Sequence, residues 1–340
     1  MKTIMKLTCA AFAVLTLAVS VLTASGAPGA LTVRPTPTPR PRPAGPPALA
    51  ASIDGNGHNG GGFVYEYPRY GVQNTFASGL SRPRGVAFDS SGNLFVATST
   101  FDNVNQVFIA SIEKITPDGV QSTFVTLGNY FLEGVAIDVA DNVFVIALNP
   151  PSQPVTIFKI TPDGVPSTFA TPPSIQSFGL AFDSAGNLYT GVNFETEPSQ
   201  IWKYLPNGTP SVFATASPEV DVYNDLAFDR FGNLFASAGS IFKYTPDGTE
   251  STFATGLDGP RGLAFDKAGN LFVAEIFGGD ILKFTSTGMM TVFASGIATP
   301  QFLAFPRSPA SSGSISNNFD AIEQSDNPVH DTVLSNYLPR

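Results

Sequence analysis

Between Phe63 and Phe305 the chain repeats one pattern six times, and that period restricts its fold more than any single residue does. The clearest copies are PRGVAFDSSGNLFVA at 83–97, FGLAFDSAGNLYTG at 178–191 and PRGLAFDKAGNLFVA at 260–274. Each is followed by a segment such as IFKYTPDGTESTFAT at 241–255. The first half of the pattern ends at Asp89, Asp138, Asp183, Asp229, Asp266 and, degenerately, Pro306. The second half carries Phe76, Phe124, Phe169, Phe213, Phe253 and Phe293 in register.

One copy resolves into four short strands, such as Gly262 to Phe265, Asn270 to Ala274, Ile281 to Phe284 and Thr291 to Ala294, all too short for helices. In NLFVA, Leu271 and Val273 point one way and Phe272 and Ala274 the other, so both faces are apolar. A sheet with two apolar faces packs between two neighbours. Repeated about an axis, such sheets predict an all-β, six-bladed β-propeller of four-stranded antiparallel blades. One blade is split between the chain ends. Gln301 to Phe305 matches a first strand, Leu49 to Ile53 a second, and Phe63 to Tyr67 and Gln73 to Ala77 a third and fourth. Closing the ring this way leaves no free sheet edge between the chain ends.

The recurrent polar residues read as turn chemistry. Thr-Pro-Asp-Gly at 116–119, 161–164 and 245–248 places proline where its fixed φ suits the turn and glycine where a positive φ is needed. Asp-x-x-Gly-Asn at 89–93, 183–187, 229–233 and 266–270 closes the other hairpin. Aspartates in register therefore read as turn formers and not as a ligand set.

Outside the repeats the composition changes. Residues 1–26 pair Lys2 and Lys6 with an apolar run from Leu7 to Leu22 and then small residues, the pattern of a secretory signal peptide. Residues 27–47 are a proline-rich linker, 48–307 the propeller, and 308–340 a polar tail expected to be disordered. Secretion, or a place in the periplasm or cell envelope, follows, with no membrane span once the signal is cut. Cys9 is the only cysteine and leaves with the signal, so disulfides and thiolate metal sites are excluded from the mature protein. The first 47 residues hold five of the 18 basic residues and none of the 27 acids, so the rest carries a net charge of −14. Such a chain lacks the basic footprint that nucleic acid requires. Its expected partners are an unidentified protein, a glycan or a small molecule, and it is expected to be a monomer.

Strand order puts the Asp-x-x-Gly-Asn and Pro-Asp-Gly hairpins on one face of the disc and the irregular connections on the other. Those between second and third strands are Thr98 to Gln106, Asn149 to Pro154, Asn193 to Pro198, a near-absent link at Gly239, and Glu275 to Asp280. Variation collected on one face of a repeat protein marks a binding face. The residues that precede each innermost strand ring the channel mouth there: Arg84, Glu133, Phe178, Asn224, Arg261 and Gln301.

The pattern P-x-G-[VL]-A-F-D-x-x-G-N-L-[FY]-V-A resembles secreted NHL-like repeat proteins and the related gluconolactonase-type six-bladed propellers, over about residues 63–305. The resemblance implies a candidate metal site. In those enzymes channel glutamate, asparagine and aspartate side chains hold a divalent cation that polarises a lactone carbonyl. Glu133 and Asn224 match two of those positions, with Glu133 as the candidate catalytic residue and calcium or another divalent cation as the cofactor. Arg84 and Arg261 depart from the pattern, because arginine repels a cation; without a metal the pair suits a carboxylate.

A second acidic group, Glu195, Glu197, Glu219, Asp221 and Asp225, has the oxygen chemistry of a calcium site and equally that of a solvated loop face. The glycine-rich stretch at 55–60 has the letters of a dinucleotide fingerprint but no helix after it. His58 and His330 lie outside the clear repeats, which argues against a histidine base. Three functions remain open: a binding scaffold that uses the variable face, a cation-dependent lactonase-like hydrolase, and an inert envelope protein.

Overall fold

The computed structural model describes residues 49–54, 61–67, 72–149, 153–174, 176–220 and 222–307. The expected signal peptide, linker and tail lie outside the described residues, as do Cys9, His58, His330, Asp221 and the glycine-rich stretch. The described strands form six four-stranded antiparallel sheets, and the first strands of the six touch one another in a closed ring. This is the six-bladed β-propeller that the repeats predict. No helix among the described residues is long and apolar enough to cross a membrane.

The split blade closes as the strand matches require. Its inner strand is Pro300–Ala304, followed outward by Leu49–Ile53, Gly62–Tyr67 and Asn74–Leu80. The blade that follows, blade 1, runs outward through Val86–Phe88, Leu94–Asp102, Val107–Ile115 and Gln121–Gly128. Blades 2 to 5 begin at Phe131–Ile137, Leu180–Phe182, Asp225–Phe228 and Pro260–Phe265. Boundaries within a repeat fall within a residue or two of expectation, as in Leu271–Glu275, Asp280–Phe284 and Met290–Ala294 of blade 5.

The apolar core is divided into six clusters, each lying between two adjacent blades. A second-strand aromatic organises most of them. Phe144, Tyr189, Phe235 and Phe272 each meet the fourth-strand phenylalanine of their own blade edge to face, at 5.0–5.2 Å between ring centroids. Each also meets a phenylalanine at the end of the next blade's first strand or, for Phe305, just past it, at 4.9–5.1 Å. A T-shaped pair adds about 0.5–1.5 kcal/mol beyond its buried area, so the repeated Phe is a device for joining blades. A lysine that recurs in the third strand lies over the same rings. Lys114, Lys159, Lys203, Lys243 and Lys283 sit 5.5–5.6 Å from the rings of Phe95, Phe144, Tyr189, Phe235 and Phe272. In the split blade the ring position is Ala50, and the residue paired with it is Glu66. The lysine is thus replaced in the one blade that lacks its aromatic partner.

The aspartates form turns as expected. Asp183 Oδ1 accepts hydrogen bonds from the backbone N–H groups of Ala185 and Asn187 at 2.9 Å, and Oδ2 accepts from Asn187 Nδ2 at 2.7 Å. Asp138, Asp229 and Asp266 repeat the bonds to the asparagine four residues on.

One loop differs from expectation. Thr98 to Gln106 is not all connection, because the strands of blade 1 continue to Asp102 and resume at Val107, pairing Phe101 with Phe108 at the tip. The alternation of apolar and β-branched residues there extends the ladder. Asp102 then turns the chain by accepting from the N–H groups of Val104 and Asn105. Both strands have nine residues, against five in the equivalents of blades 3 to 5, so this hairpin stands above the loop face.

Candidate channel-mouth site

At the loop end of the channel the first strands lie so close that no side chain fits between several of them. A Cβ added to Gly134 would overlap the carbonyl oxygen of Phe178, and one added to Gly85 would overlap the backbone at Glu133 and Val135. The glycine N–H groups use this proximity. Gly85 N donates to Glu133 O at 3.1 Å, and Gly134 N donates to Phe178 O at 2.7 Å. The glycine that follows four of the ring residues, Arg84, Glu133, Phe178 and Arg261, thus sets how tightly the mouth closes there, and the ring side chains are forced onto the axis.

There the structure brings most of the expected ring together. Glu133, 3% exposed, accepts from Arg261 Nη2 at 2.9 Å and lies 4.0 Å from Arg84 Nε. Arg84 also pairs with Asp54 at 3.2 Å and donates to Gln301 Oε1. The Arg261 guanidinium lies 5.9 Å from the ring centroid of Phe178 and 5.5 Å from that of Phe302. Asn224 takes another partner: its Nδ2 donates to Pro260 O at 3.3 Å. Burial pushes the Asp54 carboxyl up against the opposing pull of Arg84 and Arg82. Burial also lowers Arg82 and Arg261, with the neighbouring carboxylates opposing.

Several members of the site are absent from the expected ring. Asp54 directly follows the second strand of the split blade, where no repeat position points to it. Arg82 faces Phe131, its guanidinium carbon 5.1 Å from the ring centroid, with Arg84 at 5.5 Å from the same ring. The Arg82-Pro83-Arg84 run was the available signal. Three residues that lead into the mouth have positive φ, and each stands directly before a proline: Arg82 at 46°, Gly259 at 71° and Thr299 at 49°. For arginine and threonine this conformation is strained, and such strain collects at ligand-binding positions. The Nε atoms of Arg82, Arg84 and Arg261 and the hydroxyl of Thr299 are buried without a hydrogen-bond partner.

The acidic group drawn from the loops does not assemble as one cluster. Glu195, Glu197 and Glu219 are exposed, whereas Asp225 is 5% exposed in the channel wall, where its Oδ2 accepts from Leu263 N at 2.9 Å. Burial pushes the Asp225 carboxyl up to about 7, against hydrogen bonds from Leu263 and Leu226 and the charge of Arg261. A carboxyl whose folded value is raised holds its proton longer than the unfolded chain does. Its contribution to stability is full in acid and declines as pH rises from the ordinary carboxyl range near 3.8 to about 7. Asp225→Asn is expected to flatten the stability–pH curve in that window by about 1 kcal/mol per pH unit, read from urea melts at successive pH values.

The donor set around Glu133 does not suit a divalent cation. A metal entering there would lie between two guanidiniums that already neutralise the carboxylate, and Asn224 is turned to a backbone carbonyl. Among the described residues no group of three or more Asp, Glu, His or Cys side chains is arranged to hold a metal ion. At the hairpin end the channel is of another character. A cavity of about 280 Å³ is lined there by first-strand alanines and by Phe88, Phe182, Phe265 and Phe305, with Arg307 among the lining residues. Apart from Arg307, the charged side chains described on the axis gather at the loop end.

No family model matches the chain, and no curated protein matches it. Among solved structures it is similar to selenomethionine-substituted virginiamycin B lyase from Staphylococcus aureus, at 16% identity and a TM-score of 0.50, over 65% of this chain and 73% of that one. A catalytically inactive histidine-to-alanine variant of that lyase with quinupristin matches at 16% identity and a TM-score of 0.50, over 75% and 77% of the two chains. A streptogramin B lyase structure matches at 13% identity and a TM-score of 0.48, over 73% and 74%. At this level of identity the likeness shows the six-bladed propeller fold alone.

Proposed function

We propose that this protein is an exported binding scaffold of NHL-like repeats that takes its ligand on the loop-bearing face, around the channel mouth. One observation carries the reading. Six blades built to one plan present six non-equivalent surroundings at the mouth, where Arg84, Glu133, Phe178, Asn224, Arg261 and Gln301 take the same repeat position. The hairpin face, in contrast, repeats the same aspartate turn from blade to blade. A scaffold that varies only one face presents that face to a ligand. The signal-like leader supports export, and the net charge of the folded part favours a protein, glycan or small molecule over nucleic acid.

The two faces supply a matched test. Val104 and Phe277 are 90% and 79% exposed on the loop face, and Val139 and Phe231 are 97% and 70% exposed on the hairpin face. The purified protein is applied to glycan and peptide arrays beside two double variants, Val104→Asp with Phe277→Asp and Val139→Asp with Phe231→Asp. Loss of captured signal by about tenfold or more in the first variant alone supports the scaffold. Equal loss in both, or loss in the second alone, sinks it.

A further inference from the structure

We propose that the channel mouth recognises an aromatic carboxylate, its acid group on the guanidiniums of Arg82 and Arg84 and its planar body along Phe131, Phe108 and Phe101. This rests on the loop-face reading above and names the ligand class for it.

The charge balance is the first argument. Among the described residues three arginines, Arg82, Arg84 and Arg261, gather with Asp54 and Glu133, and Asp225 of the channel wall also acts on Arg261. Glu133 is engaged by Arg261 and Arg84, and Asp54 by Arg84. Arg82 is then the one guanidinium of the three that no carboxylate pairs among the described residues, in a chain whose formal net charge is −9. Arg82 has the least committed guanidinium of the three: Arg84 and Arg261 are held by Asp54 and Glu133, whereas the contact of Arg82 is the face of Phe131. Guanidinium presents a fork that matches a carboxylate, and stacking on a ring holds that fork in one orientation. The backbone of Arg82 is kept at φ 46° to place it there.

The aromatic body follows from the tall hairpin of blade 1. Phe101 meets Phe108 at 5.1 Å and Phe108 meets Phe131 at 5.6 Å, so three rings lead from the hairpin tip to the arginines. None of the three belongs to the six clusters that join the blades, and all are half-buried. This apolar wall ends at a cation, which suits a ligand that is apolar and planar along most of its length and anionic at one end.

The test uses the full chain and two probes of equal shape, naphthalene-2-carboxylate and naphthalene-2-carboxamide, titrated by calorimetry. The carboxylate is expected to bind at least about tenfold more tightly than the amide, since a hydrogen bond to a charged group is worth that much or more. Arg82→Asn is expected to erase the difference between the two probes, and asparagine tolerates the left-handed backbone at that position. Arg82→Gly, free of strain at that φ, repeats the test if the first variant melts early. Phe131→Ala is expected to weaken both probes. Equal affinities for the two probes overturn the proposal, as does a difference that survives at Arg82→Asn or an absence of binding for both up to about 10 mM. The array comparison of the two faces decides the scaffold reading separately.

Discussion

Gly134→Ala is expected to cost about 4 kcal/mol or more, a large share of the roughly 5–15 kcal/mol that holds a domain folded. The added methyl would overlap the Phe178 carbonyl oxygen and crowd Gly179 and Leu180, so the obstacle is backbone and not a side chain that can swing aside. Moving the strand to relieve the clash breaks the bond from Gly134 N to Phe178 O, now 2.7 Å long. It also parts blades 2 and 3, whose shared cluster holds Ile146, Ile157 and Leu188, each fully buried. Gly186→Ala is the control. It faces open space at φ 79° and is expected to cost about 1 kcal/mol for backbone strain alone. Denaturant melts of the two variants decide the matter: similar midpoints would show that the mouth is not closed by backbone proximity.

That glycine illustrates what a sequence of this kind reveals. Its recurrence at Gly85, Gly134, Gly179 and Gly262 was readable as part of the repeat, and so were the turns at Asp183 and Asp266, whose carboxylates bond to residues no more than four positions on. The blade count and the closure by Pro300–Ala304 were readable for a related reason: each strand declares its partners by matching the other copies. The ring positions were legible too, since the residue before each inner strand must reach the axis.

Their chemistry was not legible. Whether Glu133 serves a cation or an arginine depends on Arg261, which is 128 residues away in sequence, and no local pattern reports that pairing. Asp54 was hidden because it sits where a second strand runs into a connection, a place that the repeat leaves free to vary. Arg82 was missed because its value comes from Phe131 in the next blade. The tall hairpin was missed for a different reason. Asp102, Asn103 and Asn105 are turn residues, and they masked the strand alternation of Thr98 to Phe101 beside them.

Glu133→Gln is expected to destabilise the protein by about 3 kcal/mol, the lower end of the range for breaking a buried ion pair from one side. The glutamine keeps the volume and one acceptor but removes the charge that offsets two guanidiniums. Arg84, only 9% exposed, retains Asp54 and Gln301, so the loss falls mainly on Arg261, whose side chain is 16% exposed and whose ion pair is with Glu133. Two features separate this reading from a general packing defect. The loss should persist at high salt, because screening acts weakly on buried pairs. It should also be largely recovered by adding Arg261→Met, which removes the stranded cation and fills its place with an apolar side chain of similar reach. Urea melts of the parent, the two single variants and the double variant complete the cycle. Additive losses, with no recovery in the double variant, would mean that Glu133 and Arg261 do not stabilise one another and that the charge arrangement at the mouth is wrong.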